Sequence, residues 1–200
     1  MSDDPVQVSV APDEGQNRLW GIPVLGIVVR SILVIPQAVL LFILGIGLYL
    51  FFLVNWIPIL INGRMARWGY ALVGGYLRVS VRSSLYTLLV TGRYPPFALT
   101  GDHSITVTID AGEVQNRLWG IPFLGVAVRS ILLIPHFLVI WVLSIAVALL
   151  SLVIWVPVLL NGRQAPAIVN LYAGFYRWLV RIVAYLFPLT GRYPAFSLRD

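Results

Sequence analysis

Residues 31–61 read SILVIPQAVLLFILGIGLYLFFLVNWIPILI and carry no charged side chain. Residues 130–162 form a second uncharged stretch. About 20 apolar residues suffice for a helix to cross a bilayer, so each stretch is long enough to span one. The composition agrees, because 59% of the 200 residues are hydrophobic and only 11% are charged, whereas about 25% are charged in soluble domains. The sequence therefore predicts an integral membrane protein.

Both stretches belong to a longer internal repeat. A shift of 99 residues aligns 6–101 with 105–200 without a gap, and 44 of these 96 positions are identical. The identities include QNRLWGIP at 16–23 and again at 115–122, which a shared apolar composition would not bring into register. A regular repeat of this kind indicates duplication. We therefore predict two membrane repeats as domains: copy one, residues 1–101, and copy two, residues 102–200.

Each copy begins with the same predicted elements. VQVSV at residues 6–10 and ITVTI at 105–109 alternate along the chain, which is typical of a strand. Residues 17–35 contain Trp and Arg, which suit the headgroup level of a membrane, and predict an interfacial helix. Pro36 separates this segment from the main apolar helix, which we expect at residues 37–61.

A second apolar helix completes each copy. It follows an Asn-Gly turn at residues 62–63 and is expected at residues 65–90, before an extended tail that contains prolines. The tail of copy one leads into the strand of copy two through only a few residues, so strand and tail share one side of the membrane. Each copy then crosses an even number of times. The predicted fold is an all-α integral membrane protein of two tandem repeats. Each repeat has a short N-terminal strand, an interfacial helix and a helical hairpin, which makes about four transmembrane helices in total.

The charges of the chain are unusual in kind and position. All 14 basic residues are arginine, and the eight acidic residues avoid 15–101 and 114–199. Four arginines lie near the middle of the second helices, namely Arg78, Arg82, Arg177 and Arg181. Because buried charge must be paired, their partners are backbone carbonyls, the acidic strand segments folded over the helices, or lipid phosphate. Arginine binds phosphate bidentately and lysine does not, so the absence of lysine favours contact with headgroups.

The same arginines leave alternatives for the number of crossings. Arginine at a bilayer centre costs about 2.5–3.5 kcal/mol. The second helix therefore either turns its arginines into a bundle interior or lies flat at the interface. A hairpin within residues 22–61 is a third option, and it would put all the arginines on one side of the membrane. Four crossings remain the prediction.

Neither catalysis nor cofactor binding is predicted. Catalysis needs a nucleophile, acid or base with partners. The two histidines, His103 and His136, do not recur in the other copy. The chain has no cysteine and no His/Asp/Glu cluster with ligand spacing, so we expect no metal site. The arginines are dispersed among apolar residues and form no basic face for nucleic acid.

Several motifs of copy two carry a family resemblance. Ile134-Pro135-His136 opens a long apolar helix, which is followed by a Gly-Arg turn, by Arg177-Trp178 and by the tail LTGRYPAFSL at 189–198. This pattern resembles a family of bacterial membrane proteins called domain of unknown function 4389. The resemblance covers nearly the whole chain, once per copy.

Some positions depart from the family pattern. Copy one has Gln37 for the histidine and Val79 for the tryptophan, and Gly92 and Gly191 precede Arg-Tyr-Pro where the family more often has Asp. The resemblance implies a bacterial membrane protein with about two helices per unit, and it implies no activity. We accordingly expect a multi-pass protein of the bacterial inner membrane with both termini in the cytoplasm.

The leading functional hypothesis is a non-enzymatic accessory or scaffold protein. It would bind anionic lipid headgroups, or a membrane-protein partner or second copy of itself, through its arginines. The alternative is a transport or channel component with a pseudo-symmetric, arginine-lined path. The residues predicted to bind lipid or a partner are Arg78, Arg82, Arg177, Arg181, Arg64 and Arg163.

Overall fold

The structure is a computed structural model that describes residues 6–11, 15–101, 103–110, 114–121 and 123–199. Copy one contains β1 (Val6–Val10), a first 3₁₀ turn (Arg18–Gly21), α1 (Leu25–Leu33), α2 (Ile35–Val54), α3 (Trp56–Asn62) and α4 (Arg67–Thr87). Copy two contains β2 (Ile105–Ile109), a second 3₁₀ turn (Arg117–Gly120), α5 (Leu124–Leu132), α6 (Ile134–Ser151), α7 (Trp155–Asn161) and α8 (Pro166–Leu186). The chain is mostly helical, and both predicted strands are confirmed.

The main helix of each copy is divided into two, which the sequence prediction missed. α2 ends at Val54 and α3 begins at Trp56, within the single helix predicted at 37–61. Pro58 has no N–H, and its ring crowds the carbonyl of Val54 four residues earlier, so the helix is interrupted there. Pro157 has the same effect between α6 and α7.

The two copies pack into each other through their N-terminal segments. β1 pairs with β2 in antiparallel register, with Val8 opposite Val107. β1 packs on α8 of copy two, and β2 packs on α4 of copy one. The two 3₁₀ turns are exchanged in the same way, since the first lies against α7 and the second against α3. Each copy thus supplies a strand and a turn to the helices of the other.

The predicted Asn-Gly turns join the copies. Gly63 caps α3 in the left-handed conformation, with φ of 65°, and Gly162 caps α7 with φ of 66°. The Gly63 carbonyl accepts a hydrogen bond from the backbone N–H of Gln115 at 2.8 Å, and the Gly162 carbonyl accepts one from the backbone N–H of Gln16 at 2.6 Å. A Cβ on Gly63 would lie 2.8 Å from the Gln115 carbonyl oxygen, so both the backbone conformation and the packing require glycine.

Helix α4 separates two sides of the molecule. Val73 and Ser80 line one cavity together with Leu48 of α2. Arg78 and Arg82 instead reach the carbonyls of β2. At 100° per residue these two pairs lie on roughly opposite faces of α4. α2 and the sheet are therefore on opposite sides of α4.

Those two sides differ in polarity. One face of the sheet is apolar and is buried against the helices; it consists of Val6, Val8, Ile105 and Val107. The other face is polar and exposed; it consists of Gln7, Ser9, Thr106 and Thr108. α2 instead exposes large apolar side chains, with Phe42 69% and Tyr49 67% accessible. The molecule therefore has a polar sheet side and an apolar side formed by α2 and its counterpart α6.

Two helical segments are long and apolar enough to cross a membrane, Ile35–Val54 and Ile134–Asn161. In the most apolar 18-residue stretch of each segment only 11% and 17% of the residues are buried, so most of this apolar surface is exposed. Such surface suggests membrane association. No further helix in the described ranges passes the same test, because arginines lower the hydropathy of α4 and α8. The predicted four transmembrane helices are not confirmed.

Candidate arginine sites

The mid-helix arginines of copy one bind backbone carbonyls. Arg78 Nε donates to the Val107 carbonyl of β2 at 2.9 Å. Arg82, which is 2% exposed, donates from Nε to the Ile105 carbonyl at 3.1 Å and from Nη2 to the Gly101 carbonyl at 3.0 Å. Both guanidinium groups therefore hold β2, and Arg82 also holds the segment before it, on α4.

Copy two repeats this arrangement with the other strand. Arg177 donates to the Val8 carbonyl of β1 from Nε at 3.2 Å and from Nη2 at 2.7 Å. Arg181 donates to the tail carbonyls of Ser197 and Arg199, at 3.0 and 3.2 Å. The arginine stripes thus tie each helix to the strand of the opposite copy or to the tail. Strand-edge carbonyls that would be open to other chains are satisfied in this way.

Backbone carbonyls were one of the three partners that the sequence left open. The acidic residues were another, and all of them except Asp110 lie outside the described residues. A lipid contact of Arg78, Arg82, Arg177 or Arg181 stays a prediction. These guanidinium groups donate to carbonyls inside the protein, so the N–H groups that do so are not available to a lipid phosphate.

A second set of arginines was not predicted as a site. Arg30 of α1 and Arg129 of α5 are completely buried, each with 0% exposure. Arg30 donates from Nη1 to the carbonyls of Tyr86 and Thr91 at 2.8 and 2.7 Å, and from Nη2 to Gln16 Oε1 at 2.8 Å. Its Cζ atom lies 5.0 Å from the ring centroid of Trp20 and 4.5 Å from that of Tyr86, which adds cation–π attraction.

Arg129 has the equivalent partners in copy two. It donates to the carbonyls of Tyr185 and Thr190 and to Gln115 Oε1, between the rings of Trp119 and Tyr185. Burial lowers the pKa of Arg129 to about 10, which still leaves it protonated at neutral pH.

The signal for these buried arginines was present in the repeat. Arg30-Ser31-Ile32-Leu33 and its counterpart are identical, and so are the Gln, Trp and Thr that surround each guanidinium. Because Trp and Arg together also suit a membrane interface, the sequence alone did not distinguish a buried cluster from headgroup anchors.

The remaining candidates, Arg64 and Arg163, are exposed at the turns that join the copies. A Cβ on Gly63 would lie 3.7 Å from Cγ of Arg117, and a Cβ on Gly162 would lie 3.4 Å from Cγ of Arg18. Exposed Arg117 therefore lies against the residue before Arg64, and exposed Arg18 against the residue before Arg163, so each turn has one arginine from each copy near it. Sequence reasoning named Arg64 and Arg163 but did not predict these pairings.

His136 lies in an aromatic cluster, which the sequence did not predict. It is 0% exposed, its Nδ1 accepts from Trp178 Nε1 at 3.0 Å, and its ring stacks on Phe196 at 3.8 Å. In copy one, Gln37 donates to the Pro95 carbonyl at 3.0 Å and accepts from the Tyr94 hydroxyl at 2.9 Å. Both side chains fix the tail against the start of the main helix. In the part of the chain that the structure describes, no group of three His, Cys, Asp or Glu residues could hold a metal ion.

A family model matches part of the chain. The family described as Domain of unknown function (DUF4389) matches residues 124–197, from the start of α5 to the tail of copy two. This supports the resemblance for copy two, but the model finds one copy where two were predicted. No curated protein and no solved structure matches the chain significantly.

Proposed function

We propose that this protein is a non-enzymatic membrane accessory or scaffold protein that binds anionic lipid headgroups through two arginine pairs. The pairs are Arg64 with Arg117 and Arg18 with Arg163. The observation that carries the proposal is the position of these pairs. Each pair is exposed and contains one arginine from each copy, and one member of each pair comes directly after an exposed apolar helix. Arg78, Arg82, Arg177 and Arg181, which we first expected to bind lipid, are left out because their donors serve backbone carbonyls.

The surroundings of both pairs suit a membrane interface. Leu118, beside Arg117, is 63% exposed, and Leu19, beside Arg18, is 65% exposed. At a membrane surface the apolar side chain can enter the acyl region while the neighbouring guanidinium group contacts phosphate. Each arginine near an anionic leaflet contributes about 1 kcal/mol.

The opposed polarity of the two sides supports insertion from one face. The sheet packs on the face of α4 opposite α2, so it would accompany any crossing that α2 and α4 make together. If both crossed the bilayer, the sheet bound to Arg78 and Arg82 would bring Gln7, Ser9 and their neighbours to the bilayer centre, where polar groups are costly. We therefore propose that α2 and α6 lie within one leaflet. The sheet and both chain ends would then face the cytoplasm, where anionic lipid and the positive-inside rule favour arginine.

We also propose that copy one is a diverged second member of the same family. The gapless shift of 99 residues and the identical order of elements support this, although the family model matches copy two alone. The transport alternative would need the mid-helix arginines to face an aqueous path, whereas their hydrogen bonds to carbonyls favour a structural role.

Lipid selectivity tests the headgroup proposal. The protein is reconstituted in nanodiscs of equal phosphatidylcholine and phosphatidylglycerol, extracted in mild detergent, and its retained lipids are quantified by mass spectrometry. Arg64→Gln with Arg117→Gln, and separately Arg18→Gln with Arg163→Gln, should each weaken the preference of the affected site for phosphatidylglycerol by about thirtyfold, since two contacts of about 1 kcal/mol are lost. The matched control is Arg93→Gln with Arg192→Gln, which removes the same charge from exposed tail positions. Equal enrichment in all variants would reject the proposal.

Single cysteines test the arrangement in the membrane, because the chain has none of its own. The two substitutions are Arg64→Cys, directly after α3, and Thr100→Cys, before β2, and both positions are exposed. One-sided insertion predicts that an impermeant thiol reagent labels both from the same side of sealed vesicles. Labelling from opposite sides would instead support two crossings per copy.

A further inference from the structure

An apolar recess lies between the two copies. A cavity of about 570 Å³ is bounded by α2, α4 and α8, and its lining includes Gly45, Leu48, Tyr49 and Tyr176. A smaller cavity of about 90 Å³ adjoins it, because Phe52 and Val126 line both. The larger volume falls within the range of sites that hold small ligands. Since Tyr49 is also exposed on the apolar side, the recess opens on that side of the molecule.

A buried polar side chain lines the smaller cavity. Asn55 lines the smaller cavity and is 3% exposed, and within the described residues its Oδ1 has no hydrogen-bond partner. Buried polar groups in native proteins are nearly always paired. Copy two has Ile154 at the equivalent position, with 0% exposure, so an apolar residue fits this environment. The asparagine therefore points to a ligand that only copy one contacts.

Two arginines lie at the other end of α3 from Asn55. Trp56, at the start of α3, and Trp119, in the second 3₁₀ turn, both line the smaller cavity. Arg64 follows α3, and Arg117 begins that 3₁₀ turn. The contact between α3 and the second 3₁₀ turn consequently has the buried amide and the cavity near the start of α3 and the two arginines near its end.

We propose that this recess binds one anionic phospholipid. Its phosphate would contact Arg64 and Arg117, an ester carbonyl would pair with the Asn55 amide, and one acyl chain would enter the larger cavity. Rotation of the amide by half a turn exchanges Oδ1 and Nδ2, so Asn55 presents a donor to the ester carbonyl. The site rests on the proposed function for its phosphate contact, and it adds a specific chain pocket in one copy.

Two substitutions test the site independently of charge. Asn55→Ile installs the residue of copy two and removes the polar contact. Gly45→Leu fills the larger cavity, since a Cβ at Gly45 meets no atom within 4 Å. The full-length protein is purified from nanodiscs that contain phosphatidylglycerol, and the lipid retained per chain is measured by native mass spectrometry. We expect one tightly retained lipid in the unmodified protein and a loss of about tenfold in retention for each variant.

The controls separate this site from general headgroup binding. Ile154→Val alters the equivalent position of copy two and should retain the lipid. Asn55→Ile and Gly45→Leu should preserve the part of the phosphatidylglycerol enrichment that Arg18 and Arg163 produce, because those two arginines do not belong to the recess. Unchanged retention in both variants would overturn the recess site while leaving the arginine pairs intact. Loss of retention without any preference for phosphatidylglycerol over phosphatidylcholine would instead overturn the headgroup proposal and the phosphate contact of the site.

Discussion

Copy one and copy two share their charged framework and differ in the apolar and polar residues that fill it. The buried Arg30 and Arg129 have equivalent carbonyl, glutamine and aromatic partners. In contrast, Asn55 corresponds to Ile154, and Gln37 to His136. The arginines that bind backbone carbonyls and the turns that join the copies are thus kept in both, whereas Asn55 and Gln37 have a different residue at the equivalent position of copy two. This comparison assigns the common features to folding and suggests that a copy-specific feature serves binding.

The largest expected effect concerns the shared buried arginines. Arg30→Leu and Arg129→Leu should each destabilise the protein by about 3 kcal/mol or more, because two carbonyls and a glutamine oxygen lose their donor inside the protein. The midpoint of thermal unfolding in detergent, followed by tryptophan fluorescence, measures this. Lysine at either position lacks the forked geometry and should restore only part of the loss. A large loss in one copy alone would contradict the equivalence of the two clusters.

The contact between the copies should be next in sensitivity. A Cβ at Gly21 would lie 2.2 Å from the backbone nitrogen of Leu159, and one at Gly120 would lie 2.5 Å from that of Leu60. Gly21→Ala and Gly120→Ala should each cost about 1–3 kcal/mol through overpacking, again measured by thermal unfolding. The matched control is Gly45→Ala, which meets open space in a helix and should not destabilise. If all three variants unfold alike, the exchanged turns do not hold the copies together.

The mid-helix arginines should affect stability rather than lipid binding. Arg78→Gln and Arg177→Gln each remove charged donors from a strand carbonyl, at a cost of about 1.5–3 kcal/mol. Their phosphatidylglycerol enrichment should equal that of the unmodified protein. The opposite outcome, unchanged unfolding with reduced enrichment, would return these arginines to the lipid site that the sequence first suggested.

The smallest expected effect comes from exchanging the tail contacts. Gln37→His should cost about 1 kcal/mol, because an imidazole replaces an amide that pairs with both Pro95 and Tyr94. His136→Gln should cost less, since glutamine keeps an acceptor for the Trp178 indole. Unfolding midpoints of the two single variants, compared with the double exchange, measure the difference. A larger loss at His136 would indicate that stacking on Phe196 outweighs the hydrogen bond.

Local sequence signals located the strands and the turns, but the helix predicted at 17–35 is a 3₁₀ turn followed by α1. Alternation located β1 and β2 at their observed bounds, and the Asn-Gly pairs located the caps of α3 and α7. Pro58 was overlooked, so the division between α2 and α3 was missed. The crossing number was also beyond these signals, because α4 contains arginines whose neighbours come from the other copy.

The sequence by itself determined the apolar character of the chain, its repeat of 99 residues, and the presence of arginines without nearby acids. These properties depend on composition and short-range periodicity. Only the tertiary structure decided which arginines are internal and which are exposed. Arg177 donates to the Val8 carbonyl across 169 residues, and Arg117 of an exchanged turn lies against Gly63, the residue before Arg64. Such partners follow from the packing of one copy into the other, which no local pattern encodes.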